Sequence, residues 1–203
     1  MLYHELMCTR FFINRGEPAF QPIIKTAKSS PLYEQFLLQA GRQILTEGEI
    51  RPTDIVPVIA SSRSGKPSAY PMRWGMHMAD RTPLFNARAE AGGVKPFFRE
   101  DWERRRCIVP ASFYYEWDPQ KLKYAIQPAA STITWLCGLY RFEDGLPYFV
   151  ILTRDPSEEL RRIHDRMPLI LPEEKIKEWI RPETDPSSLL PYALTDMMYE
   201  HAG

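Results

Sequence analysis

Four side chains spread along the sequence, Cys8, Asn86, Glu116 and His164, supply a thiol, an amide, a carboxylate and an imidazole. That inventory suits nucleophilic chemistry with proton transfer. A thiol attacks, an imidazole and a carboxylate move protons, and an amide orients a substrate without adding charge. Each sits in a compact segment: Met7-Cys8-Thr9-Arg10, Phe85-Asn86-Ala87-Arg88-Ala89-Glu90, Tyr115-Glu116-Trp117 and Ile163-His164-Asp165-Arg166-Met167-Pro168. A fifth segment, Arg106-Cys107-Ile108-Val109-Pro110-Ala111, adds another guanidinium.

Each residue also has an ordinary structural role. A cysteine just before a strand is usually a small buried apolar group. Glu116 suits a strand residue facing water, and His164-Asp165-Arg166 suits a surface turn after a helix. Asn86 suits the cap of a short helix over residues 87–91. Arg104-Arg105-Arg106 reads as a solvated helix end favouring the negative pole of the helix dipole. Cys107 and Cys137 lie inside apolar strands and read as core.

The elements that must position these groups are short. An opening strand at Thr9–Ile13 precedes a helix whose cap and first position are Ser30 and Pro31. Leu32, Tyr33, Phe36, Leu37, Ala40, Ile44 and Leu45 continue it at helical spacing to Gly48. Strand patterns then follow at 55–59, 69–74, 107–109, 113–117, 123–127, 132–141 and 147–153, many bounded by Pro, Gly or Asp. Glu143-Asp144-Gly145 predicts a hairpin turn. Short helices are predicted at 96–104, 157–163 and 173–180. Strands dominate without regular alternation, which predicts one α+β domain built on a curved, mainly antiparallel sheet.

At 203 residues the chain suits a single domain, and 44% hydrophobic and 26% charged residues are those of a soluble globular protein. No apolar run approaches a membrane span, and residues 1–7 carry no secretory pattern. Three cysteines, an odd number at unsuitable spacings, fit neither a metal site nor a disulfide framework, and a reducing cytoplasm is the expected compartment. Lys plus Arg equals Asp plus Glu at 26 each, which argues against coating long nucleic acid but allows a local basic patch.

Taken in order, Met-Cys-x-Arg, Asn-Ala-Arg-x-Glu, Arg-Cys-x-x-Pro-Ala, Tyr-Glu-Trp and Ile-His-Asp-Arg-Met-Pro make the chain resemble the SRAP (SOS response-associated peptidase) family from about Cys8 to about Ile180. The resemblance implies a barrel-like core with flanking short helices over residues 8–203. It implies attachment to abasic sites in single-stranded DNA as a thiazolidine, through the α-amine and thiol of an N-terminal cysteine. Cys8 then matches the nucleophile, Asn86 a substrate-positioning amide, Glu116 the catalytic carboxylate and His164 the catalytic histidine, with no metal or organic cofactor. Arg10 and Arg88 match DNA-contacting positions. Tyr114, Tyr115, Trp117 and Trp74 offer faces on which flanking bases can stack. An α-amine, with a pKa near 8 against about 10.4 for lysine, suits the attack on a sugar aldehyde at neutral pH.

The chain departs from the family pattern at four places. Met1–Met7 precede Cys8, so either Met7 is the true start, or a leader is removed, or Cys8 is blocked. Thr9 and Phe113 replace glycines, and Glu49-Ile50-Arg51-Pro52 stands where the family has Asn-x-x-Pro. Three readings follow: a covalent abasic-site crosslinker with leader-peptidase and lyase chemistry, a non-covalent single-stranded DNA-binding module, or a cysteine hydrolase pairing Cys8 with His164. The first requires Cys8, Asn86, Glu116 and His164 to share one cleft, with His164 within hydrogen-bond reach, or one water, of Glu116. Arg10, Arg73, Arg88 and Arg166 should line a positive groove beside it. A monomer is expected.

Overall fold

The computed structural model describes residues 8–203. The expected leader, residues 1–7, lies outside them. The described strands are β1 (Arg10–Ile13), β2 (Gly48–Ile50), β3 (Ile55–Ser61), β4 (Pro67–Trp74), β5 (Met76–His77), β6 (Pro83–Leu84), β7 (Asn86–Arg88), β8 (Arg106–Ala111), β9 (Phe113–Trp117), β10 (Lys123–Pro128), β11 (Thr134–Glu143), β12 (Leu146–Arg154), β13 (Met167–Pro168) and β14 (Met197–His201). The α-helices are α1 (Phe20–Lys28), α2 (Pro31–Ala40), α3 (Ala89–Gly92), α4 (Pro96–Arg104) and α5 (Ile176–Trp179).

Strands β11, β8, β3, β4 and β12 pair in that order, and β12 pairs back onto β11. The ring is therefore a closed barrel, antiparallel at every step except β12–β4, where Tyr148 runs parallel opposite Arg73. Closure removes the free edges that an open sheet would expose. Every residue of β8 is buried, and Cys107 and Cys137 are free thiols with no exposed surface inside this wall. At Gly138 an added Cβ would lie 2.6 Å from the Val150 carbonyl oxygen and 3.0 Å from the Cys107 sulfur, so only glycine allows β11 this close to β12. The hairpin between β11 and β12 turns on Asp144 and Gly145, both at positive φ (50° and 82°), as a primed two-residue turn requires.

Beside the barrel lies a five-stranded sheet in the order β14-β10-β9-β1-β2. The chain crosses from one to the other at Ser112. Its N–H donates to the Phe12 carbonyl at 2.8 Å, and its hydroxyl accepts from the Asn14 N–H at 2.9 Å. Thus β8 and β9, nearly continuous in sequence, belong to different layers, and Glu116 lies on β9 facing the interior between them.

Helix α2 starts as predicted, with Pro31 in the first turn and the Ser30 hydroxyl accepting from the Leu32 N–H. It stops at Ala40 rather than Leu45, because Gly41 takes a left-handed φ of 59° and ends it there. Helix α4 covers the predicted residues. The expected helix at 157–163 is a 3-10 turn at Leu160–Arg162. Helix α1, which the sequence reading lacked, packs against β3 and β4.

The solvated reading of Arg106 is overturned. Its side chain is buried, and its guanidinium donates to the carbonyls of Trp102, Glu103, Trp179, Arg181 and Thr184. It ties the end of α4 to the segment after α5. Burial pulls its pKa down to about 10, only partly opposed by Asp185 and Glu183.

Candidate active site

Cys8 occupies the turn before β1, in left-handed backbone at φ 48°. The antiparallel register of β1 with β9, Arg10 opposite Tyr115, carries the residues before β1 alongside Glu116. The Cys8 N–H donates to Glu116 Oε1 at 2.6 Å. Both residues are almost fully enclosed, at 2% and 4% exposure.

Burial sets the electrostatics. It pushes the Cys8 thiol well above its ordinary pKa, and the Glu116 charge and hydrogen bond add to the rise while Arg166 opposes it. Burial likewise raises the Glu116 carboxyl, with His164 and the Cys8 hydrogen bonds pulling it back. A carboxyl raised toward neutrality exchanges protons more readily near operating pH than a solvated one.

His164 follows the 3-10 turn, its N–H donating to the Leu160 carbonyl at 3.0 Å. Its Nδ1 accepts from the Arg166 N–H at 3.2 Å, and Asp165 Oδ1 lies 2.9 Å from the same nitrogen.

Asn86 enters through β7, a three-residue strand parallel to β12 that places Asn86 opposite Ile151 and Arg88 opposite Thr153. It lines a groove of about 340 Å³ with Arg88, Lys95, Phe97 and Thr153. Arg166 joins this side to the thiol. It donates to Glu90 at 2.8 Å, Asp155 at 2.5 Å and the Thr153 carbonyl at 2.9 Å, and its charge acts on Cys8. Cys8, Glu116 and His164 therefore form one electrostatic unit, with Asn86 on the flanking strand.

Among the residues expected to meet DNA, three are placed otherwise. Trp74 has no exposed surface, stacks on Phe149 and donates its indole N–H to the Phe85 carbonyl at 2.8 Å. It is core, and no base can reach it. Arg166 is 7% exposed and spent on its carboxylate and carbonyl partners, so it braces the site from within. Tyr114 is also enclosed, at 2%. Arg88 is exposed, Arg73 is half-buried over the Tyr148 ring, and Arg10 is half-buried and paired with Glu49. Sequence reasoning missed Glu49 and Lys123, which are joined at 2.9 Å across the outer face of the sheet. The missing Asn-x-x-Pro pattern was the only signal pointing at Glu49.

Among the described residues, no three His, Cys, Asp or Glu side chains cluster as metal ligands, and no helix is long and apolar enough to cross a membrane.

A sequence profile described as SOS response associated peptidase (SRAP) matches residues 7–201. The chain is 37% identical over 196 residues to abasic site processing protein YobE of Bacillus subtilis (strain 168), covering 82% of this chain and 86% of that protein. Abasic site processing protein YoqW of Bacillus phage SPbeta is 36% identical over 196 residues, covering 82% and 84%. A crystal structure of a protein from Bacteroides thetaiotaomicron superposes with a TM-score of 0.72 over 96% of this chain and 91% of that one, at 22% identity. That likeness speaks for the fold.

Proposed function

We propose that this chain, which belongs to the SOS response associated peptidase (SRAP) family, processes abasic sites by bonding through Cys8 to the lesion in single-stranded DNA. One observation carries the reading: the Cys8 nitrogen lies 2.6 Å from a buried carboxylate. In a chain whose first residue is Cys8 that nitrogen is an α-amine, and Glu116 is in position to take its extra proton.

The free amine attacks the aldehyde carbon of the ring-opened sugar, giving a carbinolamine. Glu116 returns the proton to the departing hydroxyl, water leaves, and an imine forms. The thiol then adds to the imine carbon as its proton passes to nitrogen, closing a five-membered thiazolidine. No oxidant or reductant is needed. Closure is intramolecular, so its effective concentration is very high. His164 serves to open the sugar ring, and Asn86 orients the sugar or its phosphate.

The raised thiol favours this order of events over a thiol-only hydrolase. A cysteine nucleophile acting alone needs a lowered pKa, whereas burial and Glu116 raise that of Cys8. Where residues precede Cys8, the carboxyl beside its nitrogen is also placed to protonate that nitrogen as water adds to the preceding carbonyl and the peptide bond breaks, releasing the leader with a free carboxyl end. That supports leader removal at the same site.

The test is a denaturing gel of the Cys8-initiated protein with abasic and intact single-stranded oligonucleotides. A stable adduct with abasic DNA alone, lost in Cys8→Ala, is the expected result. A stable adduct that survives Cys8→Ala would overturn the assignment.

A further inference from the structure

The outer face of the five-stranded sheet carries a feature that the chemistry above does not use. Glu49 on β2 lies opposite Phe12 on β1. Its carboxylate accepts from Arg10 Nη1 at 2.5 Å, Lys123 Nζ at 2.9 Å and Arg51 Nε at 3.1 Å. Lys123 belongs to β10, so it reaches over β9 and β1 to meet Glu49. On the way its ammonium sits 3.6 Å from the Tyr115 ring centroid and 5.6 Å from that of Trp117, while the Arg10 guanidinium lies 5.9 Å from Trp117. The carboxylate thus occupies three cations and draws one of them, Lys123, across aromatic faces. These cations and rings are close to the site in sequence, Trp117 following Glu116 and Arg10 coming two residues after Cys8, but strand alternation turns them to the face of β9 and β1 opposite Glu116.

Cations beside aromatic faces are the components with which proteins grip single-stranded nucleic acid, phosphates on the cations and bases on the rings. A carboxylate between them does the electrostatic work of a phosphate. We infer that Glu49 is an internal substitute for a DNA phosphate, which holds Arg10 and Lys123 until the single strand displaces it and so weakens this chain's grip on undamaged DNA. The inference rests on single-stranded DNA being the partner. A neutral Asn in place of Glu49 would hold no cations by charge.

Displacement has a route. Arg51, two residues along and 62% exposed, already touches Glu49 and remains its partner once the other cations turn to DNA. Acid does not open the latch at ordinary pH. Burial raises the Glu49 pKa, but hydrogen bonds from Lys123 and Arg10, with their charges, outweigh it and hold the value at about 2. Release therefore depends on competition by phosphate.

The experiment is fluorescence anisotropy with a labelled, lesion-free oligothymidylate over a salt series, using the wild type, Glu49→Gln, Glu49→Asn and the Glu49→Gln/Lys123→Ala double variant. Each freed cation that meets a phosphate steepens the log–log salt slope by about 0.7. Glu49→Gln and Glu49→Asn are expected to steepen it by about 0.7 to 1.4 and to bind roughly tenfold tighter at low salt. The double variant should lose about half of the added slope. Wild-type binding with no change in either Glu49 variant overturns the latch alone. No binding by any of the four proteins at low salt overturns both the latch and the choice of partner. Melting curves confirm that each variant is folded, and Glu49→Asn decides the matter should Glu49→Gln fail to fold.

Discussion

Replacing Glu116 by Gln separates the chemistry of the site from its contribution to stability. The side chain is 4% exposed, and burial raises its pKa, so the ionised carboxylate is disfavoured in the fold. Gln keeps the size and the Oε1 acceptor for the Cys8 N–H but removes the buried charge. Relieving a buried charge while keeping its hydrogen bond contributes on the order of 1 kcal/mol, which raises Tm by about 2–4 °C in a domain of this size. The pH dependence follows from the sign of the shift. A group whose pKa is higher in the folded state than in the unfolded state stabilises the fold below the unfolded value, about 4.3, and loses that contribution as pH rises through the folded value. The Gln and Glu proteins should therefore melt together near pH 4 and separate as pH rises, with Gln the more stable at neutrality. Covalent capture of abasic DNA should fall by about 10²–10⁴-fold, the usual size of a general acid–base contribution. Melting curves across this pH range, with gel-based adduct kinetics, measure both. A Gln protein less stable than wild type at pH 7, or one capturing DNA within a few-fold of the wild-type rate, would refute the reasoning.

Arg106→Met should cost roughly 3–5 kcal/mol, because it strips donors from the carbonyls that the guanidinium holds around residues 102–103 and 179–184. That corresponds to a Tm lower by roughly 10 °C, and a drop of only a degree or two would show that those carbonyls find other partners. Arg88→Ala should weaken binding of single-stranded DNA with and without a lesion alike, lowering the salt slope by about 0.7. A loss confined to abasic DNA would assign Arg88 to the chemistry instead.

The parts of the fold legible in the sequence are those fixed by local chemistry. The strand pattern at 113–117, the Asp144-Gly145 turn and the Pro31 helix start each depend on residues a few positions apart, and each lies where its pattern puts it. Helix α1 was hidden by Pro22, which reads as a breaker. It is tolerated because it stands in the first turn, where its missing N–H has no helical partner to lose. The end of α2 was obscured because Ile44 continues the apolar spacing beyond Gly41. In the fold Ile44 instead meets Phe36 and Ile55 from a loop. At the site, Cys8, Glu116 and His164 were legible as chemical types, but what joins them is not local. The register of β1 on β9 and the parallel pairing of β7 with β12 connect residues far apart in sequence. The roles first given to Trp74, Arg106 and Arg166 failed for the same reason. A large or charged side chain suggests solvent until the topology supplies a ring, a ring of carbonyls or a pair of carboxylates to enclose it.

The most direct measurement compares two forms of the same chain, one beginning at Met1 and kept from processing, the other beginning at Cys8, each incubated with abasic single-stranded DNA and examined by intact mass. In the first form the Cys8 nitrogen is a peptide N–H that donates to Glu116; in the second it is an α-amine beside the same carboxylate. The Cys8 form should yield a denaturation-resistant adduct whose mass equals protein plus DNA less one water, while the Met1 form yields none until its leader is cut. An equal yield of adduct from the uncut Met1 form would contradict the α-amine mechanism and require bonding through the thiol alone.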